Sequence, residues 1–429
     1  MFRCVLVAAA AVCVATSARA QIPTAYAATP PATSQDARNV LNIARPAVIQ
    51  IKGFFGANTA QAFHGTGFAV SAGGVFITNY HVVAERVQHP DKYRLEYRNA
   101  DGETGAITVL AVDVRHDLAL VRASDYAPAP LKLQSSPGAK GERAYSVGYP
   151  LDVGLTITEG ISNGKVEDSF EPRIHYSGAI NAGMSGGPGL NEAAEVIGVN
   201  VAGYRFEQLV SFLVPVEHVL ALRDRSPTTH TDDSLKEEVA AQMHAHSADL
   251  FHALEGPMPT QQVSGYALPG KAAPFINCNA SGSPTTDDPV QVERINCFAK
   301  AGLYLQQGLF SGDLRYAHYI LTTDKLDAWR FSARLSALTH AVGNYGILRH
   351  VAPYACDDRV VGLKGFDAAV LVCARGYRKF NGLYDLTVRV SSLNSLKRGF
   401  ASHLDIYGVE FAPGMAFIRR YVDAMEWKP

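Results

Sequence analysis

The sequence predicts an all-β domain, either a barrel or a sandwich, followed by a separate α+β domain. From Val40 to about Leu222, short alternating apolar and polar runs are broken by Gly, Asn and Pro, which is typical of all-β folds. Beyond about residue 230, helical periodicity alternates with strand-like runs. A chain of 429 residues is long enough for two or three domains, each with its own core.

The N-terminus has the features of a secretory signal peptide over residues 1–20. Arg3 supplies a positive charge, residues 5–15 are apolar, and Ala18-Arg19-Ala20 fits a cleavage site after Ala20. An uncleaved anchor and a lipoprotein cysteine at Cys13 fit less well. Residues 21–37, rich in Pro, Ala, Thr and Ser, then form a flexible linker. We therefore expect a periplasmic or secreted protein with no transmembrane segment in the mature chain.

The predicted all-β domain spans residues 38–226. Its first strand is expected at 47–51, its last at 212–215, and a short helix at 217–223 closes it. The Ser, Pro and Thr residues at 226–229 indicate a boundary.

A glycine-rich turn around Ser185 is the most informative segment of this domain, and it reads Asn181-Ala182-Gly183-Met184-Ser185-Gly186-Gly187-Pro188. Glycine allows backbone conformations in which several N–H groups point at one place. A serine hydroxyl beside such donors is what acyl transfer requires.

Two upstream segments complete a possible catalytic triad. His81 ends the apolar run that begins at Val75, and Asp117 directly precedes another apolar run. The chain order is therefore His, Asp, Ser. His64, His89 and His116 are rival histidines without the same strand context, and His116 is interpreted as a surface loop residue. Asp113 is the rival carboxylate.

These segments resemble the trypsin-like serine peptidases and, within them, the bacterial HtrA/DegP-like branch. They are GTGFAV at 65–70, TNYHVV at 78–83, HDLALV at 116–121, AINAGMSGGP at 179–188 and VIGVN at 196–200. The resemblance covers roughly residues 40–225. It implies a double β-barrel, protein or peptide substrates, and hydrolysis through an acyl-enzyme without metal or cofactor.

The resemblance also implies a role for each site residue. Ser185 is the nucleophile, His81 the general base and Asp117 the group that orients His81, while the N–H groups of Gly183 and Ser185 form the oxyanion hole. The residue before the serine is Met184, which cannot form the ion pair that activates digestive zymogens.

The residues expected to bind substrate are apolar. Ala179 takes the position of the S1 floor, and the adjacent wall is assigned to Phe212, Leu213 and Val214. We therefore expect cleavage after small or medium apolar residues.

The second domain, at 234–429, lacks the carboxylate-binding loop of a PDZ module. Helices are predicted from a capping box at 234–237 to Leu254, near 291–307 and at 324–341, with a loop at 257–289 and strands at 368–373 and 386–390. An even number of cysteines favours disulfides over zinc, and the local pairs are preferred although three connectivities are possible: Cys278–Cys297 and Cys356–Cys373.

The remaining sequence features do not indicate a metal site or a nucleic-acid partner. His244, His246 and His252 are interpreted as a solvated helix face rather than a metal site, and Trp329 as a core residue. A net charge of −1 without a basic tract excludes nucleic acid as an obvious partner.

The role of the second domain is left open between two hypotheses. The chain could be a latent or inactive protease scaffold whose second domain binds a protein or cell-envelope partner, or that domain could regulate the first intramolecularly.

Overall fold

The structure is a computed structural model that describes most of the chain: residues 35–136, 138–203, 209–225, 231–283, 285, 287–339, 342, 348–393 and 396–428. The predicted signal peptide with its cleavage site at Ala20, most of the linker and the boundary at 226–229 lie outside the described residues. No helix within the described residues is both long and apolar enough to span a membrane.

Six antiparallel strands close into a first barrel in the order β1-β2-β3-β6-β5-β4. Helix α1 (Gln35–Ala44) precedes the barrel, and helix α2 (Tyr80–Gln88) follows its third strand. The strands are β1 (Val48–Phe55), β2 (Gln61–Ser71), β3 (Val75–Thr78), β4 (Tyr93–Arg98), β5 (Thr104–Asp113) and β6 (Leu118–Ala123).

Six further strands close into a second barrel in the order β10-β11-β12-β9-β8-β7. Helix α3 (Val216–Asp224) follows it, as expected. The strands are β7 (Arg143–Gly148), β8 (Thr156–Lys165), β9 (Ile174–Tyr176), β10 (Pro188–Leu190), β11 (Val196–Gly203) and β12 (Ser211–Pro215). The predicted double β-barrel is therefore confirmed.

The remaining chain combines helices with a seven-stranded antiparallel sheet of order β15-β16-β19-β23-β22-β21-β20. The helices are α4 (Asp232–Ala253), α5 (Ala328–Ala337) and α6 (Phe411–Asp423). The strands are β13 (Thr260–Val263), β14 (Tyr266–Pro269), β15 (Ile276–Gly282), β16 (Gln291–Ala299), β17 (Leu303–Gln306), β18 (Leu309–Ser311), β19 (Leu314–Thr322), β20 (Ala355–Leu363), β21 (Phe366–Gly376), β22 (Leu383–Ser392), β23 (Arg398–Glu410) and β24 (Glu426–Trp427).

Several sequence predictions for this region are wrong. The expected loop at 257–289 contains three strands, and the expected helix near 291–307 is strand. In β16 the residues Ile295, Cys297 and Ala299 are buried in alternation with more exposed neighbours, which is the two-residue period of a strand. Helix α4 begins earlier than predicted, because Thr231 caps it. Trp329 is 84% exposed rather than part of the core.

Both disulfides fasten an edge strand of the large sheet to its neighbour. Cys278–Cys297 joins β15 to β16, and Cys356–Cys373 joins β20 to β21, each between directly opposite residues. Edge strands have an unpaired row of backbone groups, so a covalent link at each edge limits fraying.

The second domain shares a hydrophobic core with the first barrel. Leu235 and Val239 of α4 and Leu305 of β17 are buried in the same apolar cluster as Val83 and Val112. The Gln242 side chain also bridges the two domains, accepting from the Val114 N–H at 2.7 Å and donating to the Val112 carbonyl at 2.8 Å.

Candidate active site

His81 and Asp117 form a tight pair in the first barrel. His81 is in the first turn of α2, and Asp117 lies immediately before β6. The Asp117 carboxylate accepts two hydrogen bonds from His81, one from its backbone N–H at 2.9 Å and one involving ring Nδ1 at 2.7 Å. The imidazole is therefore held relative to its own backbone.

The backbone of Asp117 is itself fixed by a buried amide. Asp117 has a φ of 59°, a left-handed conformation that aspartate tolerates better than most residues. The side chain of Asn79, which is fully buried, donates to the Asp117 carbonyl at 2.8 Å. The Thr-Asn-Tyr-His segment therefore supplies both the histidine and the group that holds its partner.

The charge of Asp117 changes the acidity of His81. Burial disfavours the charged ring, but the attraction of the carboxylate and the hydrogen bond to it outweigh this effect. The pKa of His81 is consequently raised above its ordinary value.

Ser185 lies in the predicted turn, but its hydroxyl is not bound to His81. Ser185 Oγ donates to the carbonyl of Val201 on β11 at 2.8 Å, and no hydrogen bond joins it to His81 within the described residues. The Ser185 carbonyl accepts from the Thr66 N–H at 2.8 Å, which ties the turn to β2. The structure thus pairs two members of the predicted triad and leaves the third turned towards β11.

The turn before Ser185 has the geometry of a type II β-turn. Gly183 has a φ of 96°, and the Met184 N–H donates to the Asn181 carbonyl at 3.0 Å. The Ala182 carbonyl accepts from the Leu151 N–H at 2.9 Å. In a trans peptide the carbonyl and the next N–H point in opposite directions, so the Gly183 N–H points away from Leu151.

The residues predicted to bind substrate do not share one wall. Adjacent residues of a strand face opposite sides, so Phe212 and Leu213 cannot line the same pocket. Leu213 is buried in the second barrel, in a cluster against which Ile180 packs, whereas Val214 belongs to the large core. The three side chains therefore point into different surroundings, and the assignment of residues 212–214 to the substrate pocket stays a prediction. Ala179 precedes Ile180, and its carbonyl accepts from Thr158 Oγ1 at 2.9 Å.

The rival residues form a second, separate pair. His116 Nδ1 lies 2.8 Å from Asp113, and its ring stacks on that of His218 with 3.7 Å between ring centres. The pKa of His116 is raised, because its hydrogen bonds and charge interactions with Asp113 and Glu171 outweigh burial. His116 is thus half-buried and paired with Asp113, and its interpretation as a surface loop residue is wrong.

The second domain reaches the proposed active site at Tyr304, which the sequence did not indicate. The Tyr304 ring of β17 meets the His81 ring edge-on, with 6.0 Å between centres. Beside it, the Tyr80 hydroxyl donates to the Leu305 carbonyl at 3.0 Å. The sequence gives no indication of this contact, because Tyr304 and His81 are far apart in the chain.

The three histidines of α4 occupy three different environments. His246 is 1% exposed and hydrogen-bonds to the Gly312 carbonyl at 3.0 Å, whereas His252 is exposed. His244 pairs with Glu410 at 2.9 Å. The expected solvated face is therefore wrong for His246. No group of metal-binding side chains is found in the described part of the chain.

Residues 65–199 are similar to a known protein family. This segment matches the family described as "Trypsin-like peptidase domain". The chain is 35% identical over 148 residues to "Probable periplasmic serine endoprotease DegP-like" of Chlamydia pneumoniae, an alignment that covers 33% of this chain and 29% of that protein.

Two animal proteins show similar matches. "Serine protease HTRA1" of Xenopus tropicalis is 32% identical over 188 residues, covering 41% of this chain and 39% of its own. "Serine protease HTRA3" of Homo sapiens is 28% identical over 229 residues, covering 50% of each. The chain thus spans half or less of the length of these relatives.

A solved structure matches part of the chain. The serine endoprotease from Yersinia pestis aligns over 44% of this chain and 65% of its own, with 21% sequence identity and a TM-score of 0.38.

Proposed function

We propose that this protein, whose residues 65–199 match the trypsin-like peptidase domain family, is an exported serine endopeptidase with Ser185, His81 and Asp117 as its catalytic triad. The observation that carries the proposal is that the Asp117 carboxylate accepts two hydrogen bonds from His81, beside the serine turn. Asp113 makes the same two contacts with His116, so it is the position of the Asp117–His81 pair beside the serine turn that distinguishes it.

The proposed reaction begins with neutral His81. The proton on Nδ1 is held by Asp117, so Nε2 is the basic atom. Ser185 Oγ leaves the Val201 carbonyl, passes its proton to Nε2 and attacks the substrate carbonyl carbon. Collapse of the tetrahedral intermediate releases the amine, which takes the proton from His81. Water then hydrolyses the acyl-enzyme by the same route.

The negative charge on the substrate oxygen is stabilised by backbone donors. We assign this role to the N–H groups of Gly183 and Ser185, as the sequence suggests. The hydrogen bond from Leu151 to the Ala182 carbonyl supports an oxyanion hole that is already formed, because it fixes the direction of the Gly183 N–H.

The residues just before the serine turn suggest which substrate residue is preferred at the cleaved bond. Ala179 has no charge with which to bind Lys or Arg, and Ile180 packs on the apolar cluster around Leu213. We propose cleavage after small or medium apolar residues. A peptide library in which cleavage occurs strictly after Lys or Arg would contradict this assignment.

We further propose export by a signal peptide cleaved after Ala20, with residues 38–226 as the protease domain and 234–429 as the second domain. Two disulfides fit an oxidising compartment such as the periplasm. One relative carries "periplasmic" in its name.

The function is tested with mature protein from residue 21 onwards and an unfolded protein substrate. We expect cleavage by the wild type and none by Ser185→Ala, with no effect of a metal chelator. Equal cleavage by both proteins, or activity that the chelator abolishes, would contradict a cofactor-free serine mechanism.

A further inference from the structure

A cavity of about 410 Å³ lies between the second barrel and the second domain, next to the proposed nucleophile. The barrel side includes Arg173, Phe212 and Val201, whose carbonyl accepts from Ser185 Oγ. The second domain contributes residues 299–302, at the end of β16 and just after it, together with Asp313. Neither domain encloses this cavity alone.

A peptide bound beside Ser185 can extend along β11 into this cavity. Strand β10 pairs with β11 only as far as Pro188 opposite Val199, so β11 continues beyond its neighbour towards Gly203. Val201 therefore lies on a stretch of β11 that β10 leaves uncovered. A side chain that flanks the scissile bond can then reach the cavity.

Most charged groups around Arg173 are already bound to other partners. Asp117 binds His81, Asp113 binds His116, and Glu171 binds Arg115. Arg115 also pairs with Asp249. These carboxylates therefore have little remaining capacity for a further cation.

Arg173 itself has no ion-pair partner in the described residues. Its one polar contact there is a long one, 3.5 Å from Nη1 to the His116 carbonyl. A guanidinium keeps its charge in proteins and has five N–H donors, so most of its binding capacity remains unused. The half-buried side chain lines the cavity beside Val201.

We propose that this interdomain cavity is a substrate subsite in which Arg173 binds an acidic side chain that flanks the cleaved bond. The inference rests on the proposed function and deepens it by naming a substrate class, peptides that carry Asp or Glu near the scissile bond. A carboxylate can accept two parallel hydrogen bonds from one guanidinium, which gives both affinity and direction. The volume is within the range of small ligand pockets.

The second domain is then part of the substrate site. Its segment 299–302 forms a wall of the cavity that Arg173 also lines. The carboxylate of this wall, Asp313, has an oxygen without a hydrogen-bond partner among the described residues. Burial raises the pKa of Asp313 to about 6. A preference for basic peptides would therefore point to Asp313 rather than Arg173.

The test measures binding without catalysis. Ser185→Ala protein is titrated into fluorescein-labelled octapeptides with a central Val, in which Glu, Gln or Lys is moved through every other position. We expect one position at which Glu binds about tenfold tighter than Gln, since hydrogen bonds to charged groups are about twice as strong as neutral ones.

Variants then show which residue causes the preference for Glu over Gln. Arg173→Gln in the same background should bring the Glu-to-Gln ratio close to one, and Arg173→Lys should keep part of it. Arg122→Gln, an equal loss of charge at an exposed position of β6, should leave the ratio unchanged. Thermal melting of each variant confirms that it is folded.

Several results would overturn the proposal: equal binding of Glu and Gln peptides at every position, a preference for Lys, no peptide binding at all, or a ratio that survives Arg173→Gln. Failure of the proposed function gives a different result from failure of the subsite. In that case the wild type does not hydrolyse peptides, but Ser185→Ala still binds Glu peptides more tightly than Gln peptides.

Discussion

At the scale of single residues, one carboxylate organises the proposed catalytic centre. Asp117 binds both the ring and the backbone N–H of His81, so the histidine cannot turn without losing two hydrogen bonds. Asp113 makes the same pattern of contacts with the ring and N–H of His116, only a few residues away. The chain therefore contains two similar Asp–His pairs, of which one lies in the predicted triad.

The two pairs provide a matched comparison. Asp117→Asn should lower kcat by about 10⁴-fold, because the amide favours the wrong tautomer of His81. Asp113→Asn makes the same change in the other pair and should leave kcat within a few-fold of the wild type. Steady-state kinetics on one peptide decides between the pairs, and a larger loss in Asp113→Asn would reassign the site.

The raised pKa of His81 predicts the pH dependence. His81 acts as a base only when neutral, so kcat/KM should fall as the pH drops through its pKa. Asp117 raises this pKa, and the inflection should therefore lie above about 6.5, the ordinary value of histidine. An inflection clearly below that value would show that Asp117 does not stabilise the protonated ring in solution.

At the scale of elements, the turn from Asn181 to Met184 determines whether the oxyanion hole is formed. A side chain at Gly183 would strain a backbone with a φ of 96° and place its Cβ 2.3 Å from the Tyr149 carbonyl. Substitution at this position therefore disturbs the turn as well as the local conformation.

Gly183→Ala should lower kcat by about 10²–10³-fold, the usual loss for one oxyanion donor. Gly164→Ala is the control, since Gly164 also has a positive φ, 74°, but its added Cβ would come no closer than 3.5 Å to the nearest atom. Both substitutions strain the backbone, but only Gly183 lies in the turn before Ser185. Only Gly183→Ala should therefore lose activity. Similar kcat values for Gly183→Ala and Gly164→Ala would show that the Gly183 turn does not contribute to catalysis.

The sequence was most informative where the signal was local. His81, Asp117 and Ser185 each lie in a short motif with its own strand or turn pattern, and the barrel strands follow from alternation. The helix expected near 291–307 was wrong because Ile295, Cys297 and Ala299 alternate, as in a strand.

Contacts between distant parts of the chain could not be predicted. Tyr304 meets His81, and Arg173 lines a cavity together with residues 299–302, only because the two domains pack together. No periodicity or motif in the sequence encodes such a pairing.

At the scale of the whole molecule, the second domain is joined to the barrels by a continuous core and by polar contacts near His81. The Tyr80 hydroxyl donates to the Leu305 carbonyl at 3.0 Å and accepts from the Gln88 amide at 3.3 Å, in a fully buried position. Stability of the barrels and docking of the second domain should therefore be coupled.

Tyr80→Phe tests this coupling. Removal of the hydroxyl leaves the buried Leu305 carbonyl unpaired and should lower the free energy of unfolding by about 1–3 kcal/mol. Tyr149→Phe is the control, because the Tyr149 hydroxyl is buried with no hydrogen-bond partner in the described residues. Urea denaturation of both variants gives the comparison, and equal stabilities would mean that the Tyr80 contact contributes little.

The central claim is that Ser185 is an activated nucleophile, and labelling with a fluorophosphonate tests it most directly. The serine oxygen displaces fluoride only when a base removes its proton. The account predicts labelling of the wild type at Ser185, much slower labelling of Asp117→Asn and none of Ser185→Ala. No labelling of the wild type, or equal labelling of Ser185→Ala, would contradict it.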